Sequence, residues 1–200
     1  MQIFEYGQKE IDYLKGRDKK LGAAIERIGR IERRITPDPF TAIVSSVVGQ
    51  QISSKAADTV WNRLVGRLGD ITPMSIARAC PEDIQGCGMT LRKAGYIKGI
   101  AEAALSGEVD FGKLHLLTDA EIIKKLSALD GVGVWTAEML LIFSLCRPDV
   151  VSYKDLAICR GMMRLYGLKE LPREKFERYR KRYSPYGSVA SLYLWALSTE

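Results

Sequence analysis

The sequence predicts an all-α fold, on three observations. Apolar residues recur at helical spacing in most segments, as at Leu21, Ala24, Ile25 and Ile28. No segment alternates polar and apolar residues for long enough to form a half-buried strand. Capping residues, prolines and glycines separate the periodic segments, so the connections between them are short. We therefore expect about ten helices in an all-α architecture.

The first third of the chain is predicted to form three helices. The first covers residues 21–28 and is followed by the proline-containing residues 36–39. Residues 40–48 are nearly all apolar or small, which predicts a second helix that is buried on all sides. Ser53 or Ser54 can cap a third helix after a polar break.

The rest of the chain is predicted to combine short helices with longer ones. Thr72 is predicted to cap a short helix over residues 74–79, with Pro73 at the first helical position. A longer helix follows the glycine-containing loop at residues 86–95. Thr118 begins a capping box, which marks the start of the next helix. A basic helix over residues 172–182 and an apolar helix over residues 189–197 complete the fold.

The composition predicts a globular protein and only weakly favours an anionic partner. The chain has 200 residues, of which 46% are apolar, and we treat residues 1–200 as one folded unit. The longest apolar run, near residues 139–146, is too short to span a bilayer, and the N-terminus lacks the pattern of a signal peptide. We therefore expect a cytoplasmic or nucleoid-associated protein without a membrane partner. The formal charge of +6 weakly favours a polyanion as its partner.

The cysteines and the histidine predict no metal site. Cys80, Cys87, Cys146 and Cys159 contain no Cys-x-x-Cys pair, and their spacing suits neither zinc nor an iron–sulfur cluster. In a chain without an export signal we expect reduced thiols that are mostly buried. His115 is the single histidine, and we expect a structural or surface role for it.

The most informative stretch covers about residues 126–146 and predicts a helix, a glycine hairpin and a second helix. Gly131 and Gly133 permit the positive φ angles of a tight reversal and expose backbone N–H groups beside a helix that begins near Thr136. Such N–H groups attract a phosphate oxygen, and this contact reads no base sequence. Val132 is expected to point inward as the anchor. The simpler alternative is a structural αα-hairpin with a glycine turn.

The hairpin and three other segments resemble a known family. The hairpin pattern is Leu126-x-x-Leu129-x-Gly131-Val132-Gly133-x-x-Thr136-Ala137, and an aspartate at a helix start follows it. This pattern resembles the helix-hairpin-helix superfamily of DNA base-excision glycosylases, and within it the 3-methyladenine DNA glycosylase II family. Residues 49–53, 88–94 and 184–195 resemble segments of that family in the same order, so the likeness covers about residues 36–197. Asp130 and Tyr153 depart from it, because prolines are usual at those positions.

The resemblance implies a fold and a partner. The fold would have two helical lobes with a cleft between them, and a chain of this length would lack the N-terminal β domain of some members. The partner would be double-stranded DNA that contains damaged bases, bound by a monomer. The resemblance implies no iron–sulfur cluster, because no cysteine follows Cys159. It allows a monovalent cation at the hairpin.

The resemblance also implies a monofunctional hydrolase that flips and excises alkylated purines. Members that cut the DNA backbone carry a lysine two residues after the second hairpin glycine, where this chain has Trp135, so no Schiff base can form there. Asp155 is the candidate catalytic residue, since an anion beside the sugar stabilises the positive charge that develops as the base leaves. Asp155 also has the position of an N-cap, and the two roles are compatible.

Candidate pocket residues are aromatic or apolar, apart from one glutamine. An alkylated purine is cationic, and an aromatic pocket attracts it through cation–π interactions. Core packing is an equal alternative for Trp195, and Gln51 is an alternative to the glutamine. The candidates are Trp135, Trp195, Tyr153, Met139 and Gln50.

The loop before residue 94 is predicted to contact DNA. Leu91 matches the family's wedge, which fills the space that the flipped nucleotide leaves, and Met89 is the second candidate. Arg92 and Lys93 can contact neighbouring phosphates, although a solvated helix start explains them equally well.

Two alternative functions remain open at this point. One is a glycosylase for uracil, mismatched thymine or oxidised bases, whose pocket would need more hydrogen-bonding groups than Trp135, Met139 and Leu156 offer. The other is a non-catalytic helix-hairpin-helix protein that only binds DNA.

Overall fold

The computed structural model describes residues 2–200, and its regular structure is helical. Within that range there is no strand, and Ile3 and Arg34 form an isolated antiparallel bridge. A 3-10 helix covers Phe111–Leu116. The all-α prediction is therefore confirmed. The α-helices are α1 Gln8–Arg17, α2 Lys19–Ile28, α3 Pro39–Gly49, α4 Ser54–Leu68, α5 Pro73–Arg78, α6 Pro81–Gln85, α7 Leu91–Leu105, α8 Asp119–Leu126, α9 Val134–Phe143, α10 Leu156–Tyr166, α11 Arg173–Tyr183 and α12 Gly187–Leu197.

The chain divides into two compact units. The discontinuous unit combines the residues up to Ile35 with Leu141–Glu200, and the continuous unit is Thr36–Leu140. The second boundary falls inside α9, where the sequence shows neither a linker nor a change in composition.

In the continuous unit, α3 packs against α4 and α7. Ile43, Val44 and Val47 are fully buried, whereas Ser45 and Ser46 are half-buried. The prediction that this helix is buried on all sides is therefore wrong, because its small polar residues form a separate and partly exposed face.

Helix starts in the continuous unit follow the predicted caps. The hydroxyl of Ser53, not that of Ser54, accepts a hydrogen bond from the N–H of Ala56 at the start of α4. Thr72 and Thr118 cap α5 and α8 in the same way. Local polar chemistry thus sets where these helices begin.

In the discontinuous unit, α12 packs closely against α10. A Cβ added to Gly161 would lie 1.9 Å from the carbonyl oxygen of Leu194, so only glycine allows this approach. Helix α12 begins at Gly187, two residues before the predicted start at residue 189.

Asp18 joins the N-terminal helices to the rest of the discontinuous unit. Asp18 is 5% exposed, and its Oδ1 caps α2 by accepting from the N–H groups of Lys20 and Leu21. Its Oδ2 accepts from the hydroxyl of Tyr166 at 2.7 Å and from the guanidinium of Arg182 at 3.0 Å. The carboxylate therefore links α2 to α10 and α11.

The thiols are only partly as predicted. All four are free, but only Cys87 is buried, while Cys80 and Cys146 are exposed and Cys159 is half-buried. The expectation of mostly buried cysteines is therefore wrong.

Candidate functional site

The glycine hairpin connects α8 to α9 within the continuous unit. Gly131 has a φ of +80°, a conformation that favours glycine. Val132 is 5% exposed, which confirms that it points inward, and its N–H donates to the carbonyl oxygen of Leu129 at 3.1 Å. Helix α9 begins at Val134, two residues before the predicted start.

The two hairpin glycines have different surroundings. A Cβ added to Gly131 would lie 2.3 Å from Cδ2 of Tyr96, so this position requires glycine for packing as well as for its backbone angle. A Cβ added to Gly133 would meet nothing within 4 Å, and its φ lies outside the left-handed region. Gly133 is exposed. Nothing within residues 2–200 therefore requires glycine at position 133, and the space beside it is open from outside.

The start of α9 presents backbone N–H groups. The N–H of Ala137 donates to the carbonyl oxygen of Gly133 at 3.1 Å, which is the first turn of the helix. The N–H groups of Gly133 and Val134 have no acceptor within residues 2–200. The side chain of Thr136 is 3% exposed, so a contact of this residue with a large partner would have to use its backbone.

A pocket of about 580 Å³ lies beside the hairpin in the continuous unit. It brings together two predicted pocket residues, Gln50 and Trp135, with the hairpin residue Gly133. The side chain of Trp135 is 39% exposed. The lining residues are Ser46, Gly49, Gln50, Gln51, Gly133, Trp135 and Thr136.

Gln50 connects the end of α3 to the hairpin. Its side-chain amide Nε2 donates to the carbonyl oxygen of Gly131 at 2.8 Å. The backbone carbonyl oxygen of Gln50 accepts a hydrogen bond from the Nζ of Lys93. The same Nζ also donates to the backbone carbonyl oxygen of Val48 at 2.9 Å. Burial lowers the pKa of the Lys93 ammonium. Lys93, predicted to contact phosphate, is thus engaged with the protein backbone.

The start of α7 presents an apolar side chain to solvent. Thr90 caps this helix, and Leu91 is its first residue. Leu91 is 51% exposed, whereas the alternative wedge candidate Met89 is half-buried. The guanidinium of Arg92 lies 5.4 Å from the ring centroid of Tyr96 and its Nε donates to the Tyr96 hydroxyl. Leu91 is therefore the candidate that is better placed to meet a partner.

Asp155 immediately precedes α10 in the discontinuous unit and is 7% exposed. Its Oδ1 accepts from the N–H groups of Ala157 and Ile158, both at 2.9 Å. The predicted N-cap is thereby confirmed, and both capping bonds use one carboxylate oxygen. The next residue, Leu156, is 78% exposed.

The remaining pocket candidates pack against other side chains. Tyr153 is half-buried, and its ring meets that of Phe176 edge-on at a centroid distance of 5.0 Å. Trp195 is half-buried and stacks on Phe143 at 5.4 Å. Both rings therefore have a packing role within the discontinuous unit. Met139 is half-buried on α9.

Sequence reasoning missed Tyr96 and the structural use of Lys93. Both residues act through contacts with segments that are far away in the chain, and neither contact has a local sequence signal. The only hint is their place on α7, three residues apart, which puts them on one side of the helix.

Residues 2–200 contain no group of three or more histidine, cysteine, aspartate and glutamate side chains that could hold a metal ion. Over the same residues, no helix combines the length and the apolar character that crossing a bilayer requires.

Comparison with known proteins gives one family. Residues 44–185 match the family described as HhH-GPD superfamily base excision DNA repair protein. DNA-3-methyladenine glycosylase 1 of Schizosaccharomyces pombe is 33% identical over 194 residues, which cover 93% of this chain and 85% of the relative.

Two solved structures resemble the fold along nearly its whole length. A DNA-3-methyladenine glycosidase from Bacillus halodurans is 36% identical with a TM-score of 0.87, and the match covers 99% of this chain and 93% of that one. The 3-methyladenine DNA glycosylase of S. pombe, in complex with abasic DNA, is 30% identical with a TM-score of 0.84, over 96% and 98% of the two chains.

Proposed function

The chain belongs to the HhH-GPD superfamily of base excision DNA repair proteins, and on this premise we propose that it is a monofunctional DNA glycosylase for alkylated purines. It would hydrolyse the N-glycosidic bond of bases of the 3-methyladenine and 7-methylguanine type. The similarity to 3-methyladenine glycosylases over nearly the whole chain is the observation that carries this proposal. The enzyme would act on duplex DNA as a monomer, since one chain supplies every proposed site residue. Its place of action would be the cytoplasm or nucleoid.

The hairpin is the proposed grip on the DNA backbone. The N–H groups of Gly133 and Val134 lack acceptors within residues 2–200 and lie at the positive end of the α9 dipole, where a phosphate oxygen is stabilised. The open space at Gly133 lets the backbone of DNA come close. Phosphate contact fixes the position of the protein but reads no sequence.

A monovalent cation could share this grip. The resemblance of residues 126–137 to the family's hairpin is what supports a cation at this place. Such a cation would add positive charge next to the phosphate. No step of the reaction depends on it.

Asp155 is the proposed catalytic residue. Excision requires the nucleotide to leave the stack, and the sugar gains positive charge as the base departs. A carboxylate held at a helix start by two N–H bonds has a fixed orientation, so it needs no reorganisation to stabilise that charge or to orient water.

Base selection is assigned to aromatic and apolar side chains. Trp135 has an exposed indole in the pocket beside Gln50, which suits a cationic purine. Tyr153, Trp195 and Met139 are proposed to support base binding in addition to their packing roles. Trp135 has no amine, so a Schiff base cannot form at this position and the DNA strand would stay intact.

Insertion into the duplex is assigned to Leu91. An exposed leucine at the first residue of a capped helix is apolar and has its backbone held by the helix, which suits a wedge. Arg92, exposed beside it, is proposed to contact a phosphate.

The test is base release from defined substrates. Methylated DNA and duplexes with a single uracil or 8-oxoguanine are incubated with the protein, and free bases are separated by chromatography. We expect release of methylated purines and strand breaks only after alkali treatment. Release of uracil or 8-oxoguanine instead would favour the alternative substrates. A covalent complex trapped by borohydride would contradict monofunctional chemistry, and binding without any release would indicate a non-catalytic protein.

A further inference from the structure

Lys93 has a role that differs from a phosphate contact. We infer that Lys93 is a positioning residue, which through Gln50 holds the glycine hairpin in a fixed relation to the wedge residue Leu91. The inference rests on the proposed function, because its consequence is efficient flipping of a damaged nucleotide. All of its contacts lie within the continuous unit.

The first link joins Lys93 to the end of α3. The last carbonyl groups of a helix lack intrahelical partners and form the negative end of its dipole. The Lys93 ammonium meets this end by donating to the carbonyl oxygens of Val48, at 2.9 Å, and of Gln50. It therefore fixes the backbone at the point where Gln50 leaves the helix.

The second link joins Gln50 to the hairpin. With its backbone held by Lys93, the Gln50 side chain donates to the carbonyl oxygen of Gly131 at 2.8 Å. The following residue, Gln51, has a φ of +59°, which is unusual for a residue with a side chain. A loop in this conformation needs contacts that hold it.

The third link is a direct contact of α7 with the hairpin. The ring of Tyr96 fills the space where a side chain of Gly131 would lie. Tyr96 is five residues after Leu91 on the same helix, about 7.5 Å along its axis. The wedge residue is therefore part of the same short piece of helix that contacts the hairpin. Tyr96 makes this contact directly, and Lys93 makes it through Gln50.

This arrangement has a mechanical consequence. A wedge residue can displace a nucleotide only if the hairpin that binds the DNA backbone keeps its position. Without the Lys93 ammonium, Gln50 and the hairpin carbonyl of Gly131 lose their fixed position, while the N–H groups of Gly133 and Val134 can still bind phosphate. Loss of Lys93 should therefore impair flipping and excision more than binding of undamaged DNA.

The same helix provides a matched control. The Nζ of Lys98 donates to the carbonyl oxygens of Ala77, at 3.0 Å, and Ala79, at 2.7 Å, at the end of α5. Lys98 thus has the same structural task as Lys93, but its hydrogen bonds go to the end of α5 and not to the hairpin or to Gln50. Replacement of either lysine by methionine removes the ammonium and keeps most of the aliphatic side chain.

The experiment compares Lys93→Met, Lys93→Arg and Lys98→Met in the full chain. Thermal unfolding, binding to an undamaged duplex, single-turnover release of a methylated purine and fluorescence of 2-aminopurine next to the lesion are measured. We expect Lys93→Met to lower the single-turnover release rate by up to about 100-fold and to weaken binding of the undamaged duplex by less than about 3-fold. The fluorescence rise of 2-aminopurine should become smaller as well. Lys93→Arg, which can donate to both carbonyl oxygens, should recover much of the loss.

Other results would overturn the inference. An equal loss of release in Lys98→Met at a similar melting temperature would reduce Lys93 to a stabilising residue. If Lys93→Met weakened binding of the undamaged duplex as much as it lowered the release rate, Lys93 would be a direct phosphate contact. An unchanged release rate in this variant would exclude a role of Lys93 in excision. If the wild-type protein releases no alkylated base, the proposed function fails, and the 2-aminopurine signal opposite an abasic site still compares the variants.

Discussion

Helix α9 follows Gly133, which has no side chain, whereas α10 follows Asp155, whose carboxylate caps the helix. At the first helix, the N–H groups of Gly133 and Val134 have no acceptor within residues 2–200. At the second, two N–H groups bind Oδ1 of Asp155 at 2.9 Å. The positive end of one helix is open to an anion from outside, and that of the other holds an anion of the protein's own.

The two helix starts show how the same local physics can serve two tasks. A helix start stabilises a nearby negative charge, whichever molecule supplies it. At α9 we propose that DNA supplies the charge, which gives a grip that reads no sequence. At α10 the protein supplies it, and we propose that this fixed carboxylate carries the chemistry.

The first test of this contrast replaces each of the two hairpin glycines by alanine in turn. Gly131→Ala places a methyl group against the Tyr96 ring at a φ of +80°, so we expect it to lower the free energy of unfolding by about 3 kcal/mol. Gly133→Ala meets nothing in the chain and should change it by less than about 0.5 kcal/mol. Chemical denaturation measures both, and equal losses would show that Gly133 also serves the fold.

The second test uses Asp18, a buried N-cap aspartate like Asp155 that is assigned no chemistry. Burial works against its charge, but hydrogen bonds from the Leu21 N–H, the Tyr166 hydroxyl and Arg182 prevail and lower the pKa of Asp18. Asp18→Asn retains a cap but loses the charge, and we expect a loss of about 2 kcal/mol in the free energy of unfolding at neutral pH. The rate of base release per folded molecule should stay within about 3-fold of the wild type, because Asp18 is assigned no part in the chemistry.

The effect of Asp18 should depend on pH with a definite sign. Because the pKa of Asp18 is lower in the folded state, its stabilising contribution is present above about pH 4 and is lost as the pH falls through the folded pKa. The difference in melting temperature between wild type and Asp18→Asn should therefore shrink between pH 7 and pH 3. A difference that stays constant would contradict a role of the Asp18 charge.

The features that could be predicted from sequence are those set by neighbouring residues. Caps such as Thr72, the positive φ of Gly131 and the N-cap position of Asp155 depend on a few adjacent residues. The inward direction of Val132 follows from its place in a glycine turn between two apolar helices. These features gave the fold class and the main outline of the candidate site.

The features that could not be predicted depend on contacts between distant segments. The hairpin meets Tyr96 and Gln50 from other parts of the chain, and Lys93 binds the end of α3 instead of standing in solvent. The packing partner of Trp195, Phe143, is equally remote in sequence. Periodicity indicates that such a side chain is half-buried but does not identify its neighbour.

The division of grip and chemistry between the two helix starts is tested most directly by comparing Gly133→Ala with Asp155→Asn. For each variant, the Kd for an undamaged duplex and the single-turnover rate of methylpurine release at saturating enzyme are measured. We expect Gly133→Ala to raise Kd by about 10-fold with a nearly unchanged rate, because the added methyl group keeps a phosphate away from the N–H groups. Asp155→Asn should lower the rate by about 1,000-fold with Kd unchanged. The proposed division is contradicted if Asp155→Asn retains the wild-type rate, or if both variants change Kd and rate together.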